Sequence, residues 1–355
     1  MRVLLLGEFS GFYKNLNDGL HELEVDVTWA SNGDVWKKIG GADVKIYAPG
    51  KNYFSKAYNY LLFPLIDKRF QDFDVVQAVT PMIYPWQINE FAMKRIKTNN
   101  KKMFISAAGS DCFQYRAYLS GRYRYYIYDD NPSLVNMYDN NSLKSKMLTH
   151  STEILYSKAD GIIPAVPFDY EIPFVGMKNL RKTILFPINY KKINYSVNKV
   201  SNKIVFFHGI SRPAEKGSSY ILEAMKIVEQ KYEKYVKCIV VERLPYDDYV
   251  KALSEANIII DQCKGYGYGI NACISLAKGK VVMGGAEPEF MEAGNLYDCP
   301  IYNITPNVKQ IVEQMEKIID SRERIPEIGR LGREYIIKHH DYIKIAEQYL
   351  EEWKR

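Results

Sequence analysis

The segment "DQCKGYGYGINACISLAKGKVV", residues 261–282, joins an apolar run to a helical stretch through alternating glycines and tyrosines. Glycine allows a positive φ and lets a ligand approach main-chain N–H groups closely. The N–H groups in the first turn of a helix are unpaired and carry partial positive charge, which suits phosphate. The segment therefore predicts that the amides of Gly269, Ile270 and Asn271 bind a diphosphate. The alternative is a tight turn that only connects a strand to a helix.

Apolar runs of strand length alternate with helical stretches on both sides of this segment. The predicted strands are RVLLLG (2–7), VDVTWA (25–30), DVVQAV (74–79), KMFISAAG (102–109), GIIPAV (161–166), TILFPI (183–188), KIVFFHG (203–209), VKCIVVE (236–242), NIIIDQ (257–262), KVVMGG (280–285) and CPIYNI (299–304). Strands that are apolar throughout and alternate with helices indicate parallel sheets covered on both faces.

Predicted helices cover residues 13–23, 86–96, 218–232, 246–255, 287–293, 307–320, 324–338 and 341–354. The polar segment Asn189–Asn202 interrupts the alternation and is the best candidate for a linker. We therefore predict an α/β protein with two doubly wound, Rossmann-like domains facing across a cleft. Residues 1–190 form the acceptor-side domain, residues 191–338 form the donor domain, and residues 339–355 form a helix packed on the first domain.

Composition excludes several classes of protein. The 355 residues are 47% hydrophobic and 25% charged, and the N-terminus lacks a signal-peptide pattern. Five scattered cysteines without a CxxC pair favour a reducing, cytoplasmic compartment and predict neither a disulfide framework nor a zinc site. We expect no metal. The pair His339 and His340 lies near a helix C-terminus, where solvent and the helix dipole suit it.

Charge is distributed unevenly, although the net value is only +6. Residues 172–214 contain no Asp or Glu but eight Lys or Arg, and residues 115–130 interleave three arginines with six tyrosines. Such clusters suit a nucleotide diphosphate, acidic phospholipid head groups or nucleic acid. The alternative is a solvated face on which tyrosines pack against arginine stems.

A second phosphate-binding feature follows the strand predicted at residues 203–209. Arg212 and Lys216 lie between Gly209 and Gly217, in a loop that opens a helix. Arg forms forked hydrogen bonds with phosphate and Lys acts as a point charge, so the pair suits two phosphates. The loop lacks the GxxxxGK[ST] pattern of a P-loop. Two solvated loop charges are the alternative.

Several of these motifs together resemble a known family. They are "HGISRPAEKG" (208–217), "LPYDDYVKALSEANIIID" (244–261), the glycine–aromatic loop and "SLAKGKVVMGG" (275–285). They are similar to the carboxyl half of GT-B glycosyltransferases of the family-4 type, which is common in bacterial capsule, lipopolysaccharide and glycan assembly. The resemblance covers about residues 200–335, and the amino-terminal half matches only in pattern.

The resemblance implies transfer of a sugar from a nucleotide diphosphate sugar to a glycan or lipid-linked acceptor, with retention at the anomeric carbon. It implies no cofactor, no nucleic acid, and peripheral contact with the inner face of an anionic membrane. The family's donor-binding positions correspond in this chain to Gly7 and Gly11 of the first-strand loop and to the pair Arg212 and Lys216. They also correspond to the loop of Gly267, Tyr268 and Gly269.

The chain departs from the family at two positions. The family usually carries two glutamates around the glycine loop, and Tyr266 and Ile274 stand at the matching places. An apolar side chain cannot bind ribose hydroxyls. Glu287 and Glu289, in the next loop, are candidates to reach the same pocket. Alternatively, they complement the dipole of the helix that follows them.

Asp111, in "GSDCF", is the polar group predicted to face the acceptor, because Ala108 occupies the place of a histidine found in many relatives. Its carboxylate can bind an acceptor hydroxyl or assist its deprotonation. The alternative is a helix N-cap. Retaining transfer does not require an enzyme base, because the leaving phosphate can take the proton; charge stabilisation by Arg212, Lys216 and helix amides is then the main contribution.

Three other functions are alternatives to sugar transfer. A nucleotide-sugar epimerase or hydrolase would favour a cleft rich in acid and base pairs, which the sequence does not show. A degenerate transferase that binds nucleotide or a partner without turnover is favoured by the missing glutamates. A nicotinamide oxidoreductase is disfavoured, because "GEFSGF" (7–12) is not GxGxxG.

Overall fold

The computed structural model describes residues 1–34, 37–46, 68–242 and 253–355. The amino-terminal half contains a six-stranded parallel sheet in the order β3-β2-β1-β4-β5-β6. Its strands are β1 (Arg2–Leu6), β2 (Asp26–Ser31), β3 (Val44–Lys45), β4 (Val75–Ala78), β5 (Lys102–Ala107) and β6 (Gly161–Pro164). The chain therefore reverses direction across the sheet between β1 and β4, which are paired in parallel.

The carboxyl-terminal half contains a five-stranded parallel sheet in the order β11-β10-β9-β7-β8. Its strands are β7 (Ile204–Ile210), β8 (Val236–Glu242), β9 (Ile258–Ile260), β10 (Val281–Gly284) and β11 (Tyr302–Asn303). Here the strand order reverses between β7 and β9. Both sheets consist largely of buried apolar strands, as expected when helices cover both faces. The two doubly wound domains predicted from the sequence are confirmed.

Helices connect and cover the strands. In the first half they are α1 (Phe12–Glu22), α2 (Asn89–Thr98), α3 (Cys112–Leu119), α4 (Pro132–Tyr138) and α5 (Leu143–Lys158). In the second half they are α6 (Pro213–Lys216), α7 (Ser218–Lys231), α8 (Ile270–Ala277), α9 (Pro288–Gly294), α10 (Val308–Asp320), α11 (Ile325–His339) and α12 (Tyr342–Lys354). The helix predicted at residues 246–255 falls mostly outside the described residues.

The prediction of a strand at residues 183–188 is wrong. The segment is buried, with Ile184 and Ile188 fully inaccessible, but it joins no sheet ladder. Ile184 donates one hydrogen bond to the carbonyl of Pro164, and Ile188 forms an isolated bridge with Asp341. Burial explains the apolar run, while Pro187 lacks the N–H that a central strand needs.

Helix α12 packs against α1 of the first domain. A side chain at Gly19 would lie 2.2 Å from the carbonyl oxygen of Tyr342, so the two backbones approach closely. The Trp353 indole donates to Gln77 at 2.9 Å, and Lys102 donates to the carbonyl of Trp353 at 3.0 Å. These two hydrogen bonds join the end of α12 to strands β4 and β5 of the amino-terminal sheet. The domain boundaries at residues 190 and 338 stay predictions.

His340 does not lie in solvent as the sequence suggested. It is fully buried, and its Nδ1 donates to the carbonyl of Phe186 at 2.8 Å. Because a carbonyl can only accept, Nε2 is the nitrogen that accepts from the Tyr268 hydroxyl at 2.9 Å. Burial lowers the pKa of His340 to about 4. Its neighbour His339 pairs with Asp298.

The buried, neutral His340 predicts a pH-dependent stability. Its folded pKa lies below the unfolded value, so its contribution is complete above about pH 6.5 and is lost as pH falls towards 4. We expect the free energy of unfolding of the native protein, relative to the His340→Gln variant, to fall by about 2 kcal/mol between pH 7.5 and pH 5. Urea unfolding at both pH values measures it. The exposed His21→Gln is the control, and a pH-independent difference for His340 would contradict the assignment.

Candidate functional site

The two loops that sequence analysis singled out meet at one edge of the carboxyl-terminal sheet. Residues 211–217 follow β7 and residues 261–269 follow β9, which are the strands flanking the reversal of strand order. The amide of Cys263 donates to the carbonyl of Lys216 at 3.0 Å, so the loops are in direct contact. Ligands of open α/β sheets bind outside the carboxyl ends of the strands at this type of position.

Lys216 is a buried cation at this edge. Its ammonium donates to Asp261 Oδ1 at 2.9 Å and to the carbonyl of Gly209 at 3.4 Å. Asn271, in the first turn of α8, donates to the same Asp261 oxygen at 2.9 Å. Burial opposes ionisation of Asp261, but the Lys216 charge and these hydrogen bonds lower its pKa below the ordinary value. Asp261 thereby ties the lysine to the amino end of α8.

The glycines of the loop have a different role from the one predicted. Gly265, Gly267 and Gly269 all lie outside the positive-φ region, so conformational freedom does not explain them. A side chain at Gly267 would lie 2.5 Å from Phe290, whereas one at Gly269 would meet no atom within 4 Å. Packing therefore requires Gly267, whereas the space beside Gly269, directly before α8, is open.

Arg212 is exposed, with 65% of its side chain accessible, and pairs with Glu215 at 2.8 Å. It still lies towards the amino-terminal domain. Burial raises the pKa of the Tyr170 hydroxyl in that domain, and the Arg212 charge opposes the rise. Arg212 thus directly precedes α6 and Lys216 ends it, and of the two only Lys216 is buried and fixed against α8.

The aromatic side chains of the glycine loop are directed inward. The Tyr268 hydroxyl contacts Tyr335 at 2.6 Å as well as His340, so only its backbone remains for the predicted donor contact. Ile274 packs against the apolar core. Tyr266 is also buried and lies against the other domain. At the two positions where the family has glutamates, this chain therefore presents neither a carboxylate nor an accessible hydroxyl.

A segment of the first domain contacts the loops of the donor domain. We call residues 122–130 the tyrosine arm. The Arg124 amide donates to the Tyr266 hydroxyl at 2.6 Å, and the ring of Tyr125 stacks on Tyr266 with centroids 5.1 Å apart. Lys264, almost fully buried, donates to the carbonyl of Asp129. The arginine–tyrosine cluster noted in the sequence is therefore part of the domain contact.

Glu287 and Glu289 both form ion pairs with Arg124 of the arm. Glu287 is nearly inaccessible and also accepts from Asn303 at 2.5 Å. The pairing with Arg124 lowers the pKa of Glu289 below its ordinary value. Glu287 directly precedes α9 and Glu289 lies in its first turn, in agreement with the dipole interpretation. In this arrangement they bind the arm, so a direct role at the ribose stays a prediction.

Asp169 of the first domain binds the backbone of the glycine loop. Its two carboxylate oxygens accept the amides of Tyr266 at 3.0 Å and Gly267 at 2.9 Å. Burial raises its pKa to about 7, against the effect of these hydrogen bonds. Tyr123 of the arm donates to the Asp169 carbonyl at 3.0 Å. Arm, Asp169 and glycine loop form one connected interdomain network.

The first-strand loop lies at the equivalent reversal point of the other sheet. Gly7 and Gly11 have φ values of 99° and 91°, where other residues are strained, so both glycines are required by conformation. Glu8 between them is buried and accepts the amides of Gly11 at 2.7 Å and Lys14 at 2.9 Å. Burial raises its pKa to about 7. Glu8 thereby links the loop to the first turn of α1.

Asp111 is the N-cap of α3. Oδ1 accepts the amides of Phe113 at 2.9 Å and Gln114 at 3.0 Å, and Oδ2 accepts the Tyr156 hydroxyl at 2.9 Å. Burial raises its pKa to about 6. The capping alternative is therefore confirmed. A contact between Asp111 and an acceptor stays a prediction, since both oxygens already accept hydrogen bonds.

Sequence reasoning missed the carboxylates that organise the site, Asp169 and Asp261. Asp261 carried a usable signal, because an acid directly follows an apolar strand beside a predicted phosphate loop. Asp169 carried none, since its partners lie almost a hundred residues away in the sequence.

Solved structures with the same architecture are found despite low sequence identity. Sucrose-phosphate synthase from Thermosynechococcus elongatus is 12% identical with a TM-score of 0.63, covering 100% of this chain and 98% of its own. The Anabaena protein HepE, in complex with UDP and glucose, is 13% identical with a TM-score of 0.61, covering 99% and 98%. A glycosyltransferase from Rickettsia africae is 12% identical, with a TM-score of 0.60 and the same coverage as HepE. The chain has the GT-B fold.

No protein-family model and no curated protein sequence matches the chain. Within the described ranges, no helix is long and apolar enough to cross a membrane. The same part of the chain contains no group of three or more His, Cys, Asp or Glu side chains arranged to hold a metal ion.

Proposed function

We propose that the protein transfers a sugar from a nucleotide diphosphate sugar to a glycan or lipid-linked acceptor, with retention at the anomeric carbon. The observation that carries the proposal is the link from Lys216 through Asp261 to Asn271. It fixes a buried ammonium beside the amino end of α8, next to the open space at Gly269. A diphosphate fits this combination of charge and unpaired N–H groups.

The chemistry of such a site is charge stabilisation. Departure of the sugar leaves negative charge on the diphosphate, which the Lys216 ammonium and the α8 amides stabilise. Among the described residues, Asp261 and Gly209 accept from Lys216, whose ammonium has three donor hydrogens. One hydrogen therefore remains for a phosphate oxygen. Arg212 supplies a second, exposed cation, and the leaving phosphate takes the acceptor proton.

The solved structures support the choice of donor. HepE was crystallised with UDP, with UDP-glucose and with UDP and glucose, and its fold is the one found here. The acceptor and the retention of configuration rest on the family resemblance, and a contact with an anionic membrane rests on the resemblance and on the basic segments of the sequence. The role of Asp111 in holding an acceptor hydroxyl also rests on the family resemblance.

A second candidate is a degenerate transferase that binds nucleotide or a partner without turnover. Two observations favour it. Tyr266 is buried where the family has a glutamate, and the arm occupies its hydroxyl through Arg124. Under this alternative the interdomain network is permanent and the diphosphate site serves recognition.

Nucleotide binding and turnover distinguish the two candidates. A thermal-shift screen with UDP, GDP, CDP and their sugars identifies the nucleotide, because a ligand that binds the native state raises Tm. Release of the nucleoside diphosphate is then followed with and without membrane extract as a source of acceptor. We expect release that depends on the extract. Binding without release from any donor would favour the degenerate transferase, and no binding would refute both.

A further inference from the structure

The polar surface beside the proposed diphosphate site is formed jointly by the tyrosine arm, through Arg124, and by Glu287 and Glu289 of the donor domain. The amide of Glu287 donates to the carbonyl of Tyr266 at 2.9 Å, so the β10 loop lies directly along the glycine loop. Gly269, at the start of α8, is only three residues beyond Tyr266. A sugar attached to a diphosphate at α8 therefore has the β10 loop and the arm as its neighbours.

Arg124 dominates this surface. Its guanidinium pairs with Glu287 and Glu289 and lies 5.2 Å from the ring centroid of Tyr266. The side chain is 56% exposed, while those of Glu287 and Glu289 are 6% and 32% exposed. Glu287 therefore binds the guanidinium on its buried side. The Arg124 and Glu289 side chains both keep an exposed fraction, and a guanidinium and a carboxylate match the acceptors and donors of sugar hydroxyls.

The charge of the surroundings favours an uncharged sugar. Arg124 offsets only one of its two carboxylates. Lys264 lies beside Asp130 at 3.6 Å, and so this second cation is also matched by an acid. Among these five groups, three carboxylates face two cations. A carboxylate on the sugar would lie close to Glu289 and be repelled.

We propose that Arg124 and Glu289 form the sugar-recognition end of the donor site and select donors with an uncharged sugar over donors with a uronic acid. The inference rests on the proposed function. It assigns to a residue of the acceptor-side domain the sugar contact that Tyr266 cannot make, and it gives the arm a role in specificity.

Equilibrium binding tests the proposal without requiring turnover. Dissociation constants for UDP, UDP-glucose and UDP-glucuronate are measured by calorimetry; GDP, GDP-mannose and GDP-mannuronate replace them if the screen selects guanosine. We expect the native protein to bind the neutral donor at least about tenfold more tightly than the acidic one, given one uncompensated charge at contact distance. Glu289→Gln should bring the two affinities to within about threefold.

Arg124→Gln should act in the opposite direction, because it exposes both carboxylates. We expect the preference for the neutral donor over the acidic one to increase, while affinity for the neutral donor falls about tenfold. Affinity for UDP alone should change less than about threefold, since the diphosphate contacts Lys216 and α8. Matched controls are Arg122→Gln, an exposed residue of the same arm, and Glu292→Gln, an exposed residue of α9.

The outcomes separate this inference from the proposed function. Normal binding of UDP with a neutral-to-acidic ratio that neither variant changes would overturn the inference and leave the function standing. Failure of every nucleotide to bind would overturn both. A loss of UDP affinity in Arg124→Gln equal to the loss for the sugar donor would show that Arg124 only supports the fold of the site, and would also overturn it.

Discussion

The double variant Lys216→Met/Asp261→Asn is expected to lose about 10²–10³-fold in kcat/KM for the nucleotide sugar while remaining folded. Removing both members of the buried pair removes the ammonium that faces the leaving diphosphate. The hydrogen bond from Asn271 to residue 261 is retained, because an asparagine still offers an acceptor oxygen. Initial rates of nucleoside diphosphate release at several donor concentrations measure the effect.

The double variant is needed because the single one is ambiguous. Lys216→Met alone leaves the carboxylate of Asp261 buried without its cation. Breaking a buried ion pair in this way costs about 3–5 kcal/mol, which can unfold a domain of ordinary stability. Loss of activity in the single variant would then report unfolding and not chemistry.

The control is Lys226→Met, which removes an exposed charge from α7 of the same domain and should leave kcat/KM within about twofold. Circular dichroism and a Tm measurement show whether the double variant is folded. A folded double variant that retains native kcat/KM would show that Lys216 does not contact the diphosphate. The GT-B fold would then stand without this catalytic assignment.

The loop positions of the site were predictable from the sequence because they depend on local pattern and one topological rule. Apolar runs alternating with helices indicated parallel sheets, and such sheets bind ligands at the carboxyl ends of their strands. Lys216 and Gly269 each follow a strand, so they were expected at one edge. The structure places them there, and Asp261 joins Lys216 to Asn271, two residues beyond Gly269.

The domain contact was not predictable in this way. Arg124 pairs with Glu287 across 163 positions, and Asp169 meets Tyr266 across 97. No local periodicity records a pairing over such distances. A run of tyrosines and arginines is compatible with a solvated face, with nucleic acid or with an interface, and only the relative placement of the two sheets decides among them.

The position of the glycine loop was predicted correctly, but the reason given for its glycines was incomplete. Its glycines suggested positive φ, but Gly267 is required by the nearness of Phe290. At Gly265, a side chain would lie 2.8 Å from the side-chain amide nitrogen of Gln262. The constraint at Gly267 comes from tertiary packing, whereas Gln262 belongs to the same loop as Gly265. A sequence pattern records that a side chain is absent, but the neighbour that excludes it is brought there only when the chain folds.

The second large effect is expected at Asp169, whose carboxylate joins the two domains. Asp169→Ala leaves the amides of Tyr266 and Gly267 buried without an acceptor. Each unsatisfied N–H costs about 1–3 kcal/mol, so together they should weaken domain docking by about 3 kcal/mol or more. We expect kcat/KM for the donor to fall about 100-fold, because the glycine loop is no longer held beside the arm.

Small-angle scattering should show the same change as a larger radius of gyration. Assays belong at about pH 8, since burial raises the pKa of Asp169 to about 7 and the ionised form is the one that accepts both amides. Asp169→Asn retains one acceptor oxygen and should lose about tenfold. Asp320→Ala, at the exposed end of α10, is the control. Native activity and native dimensions in Asp169→Ala would mean that the domains dock through Arg124 and Lys264 without help from this carboxylate.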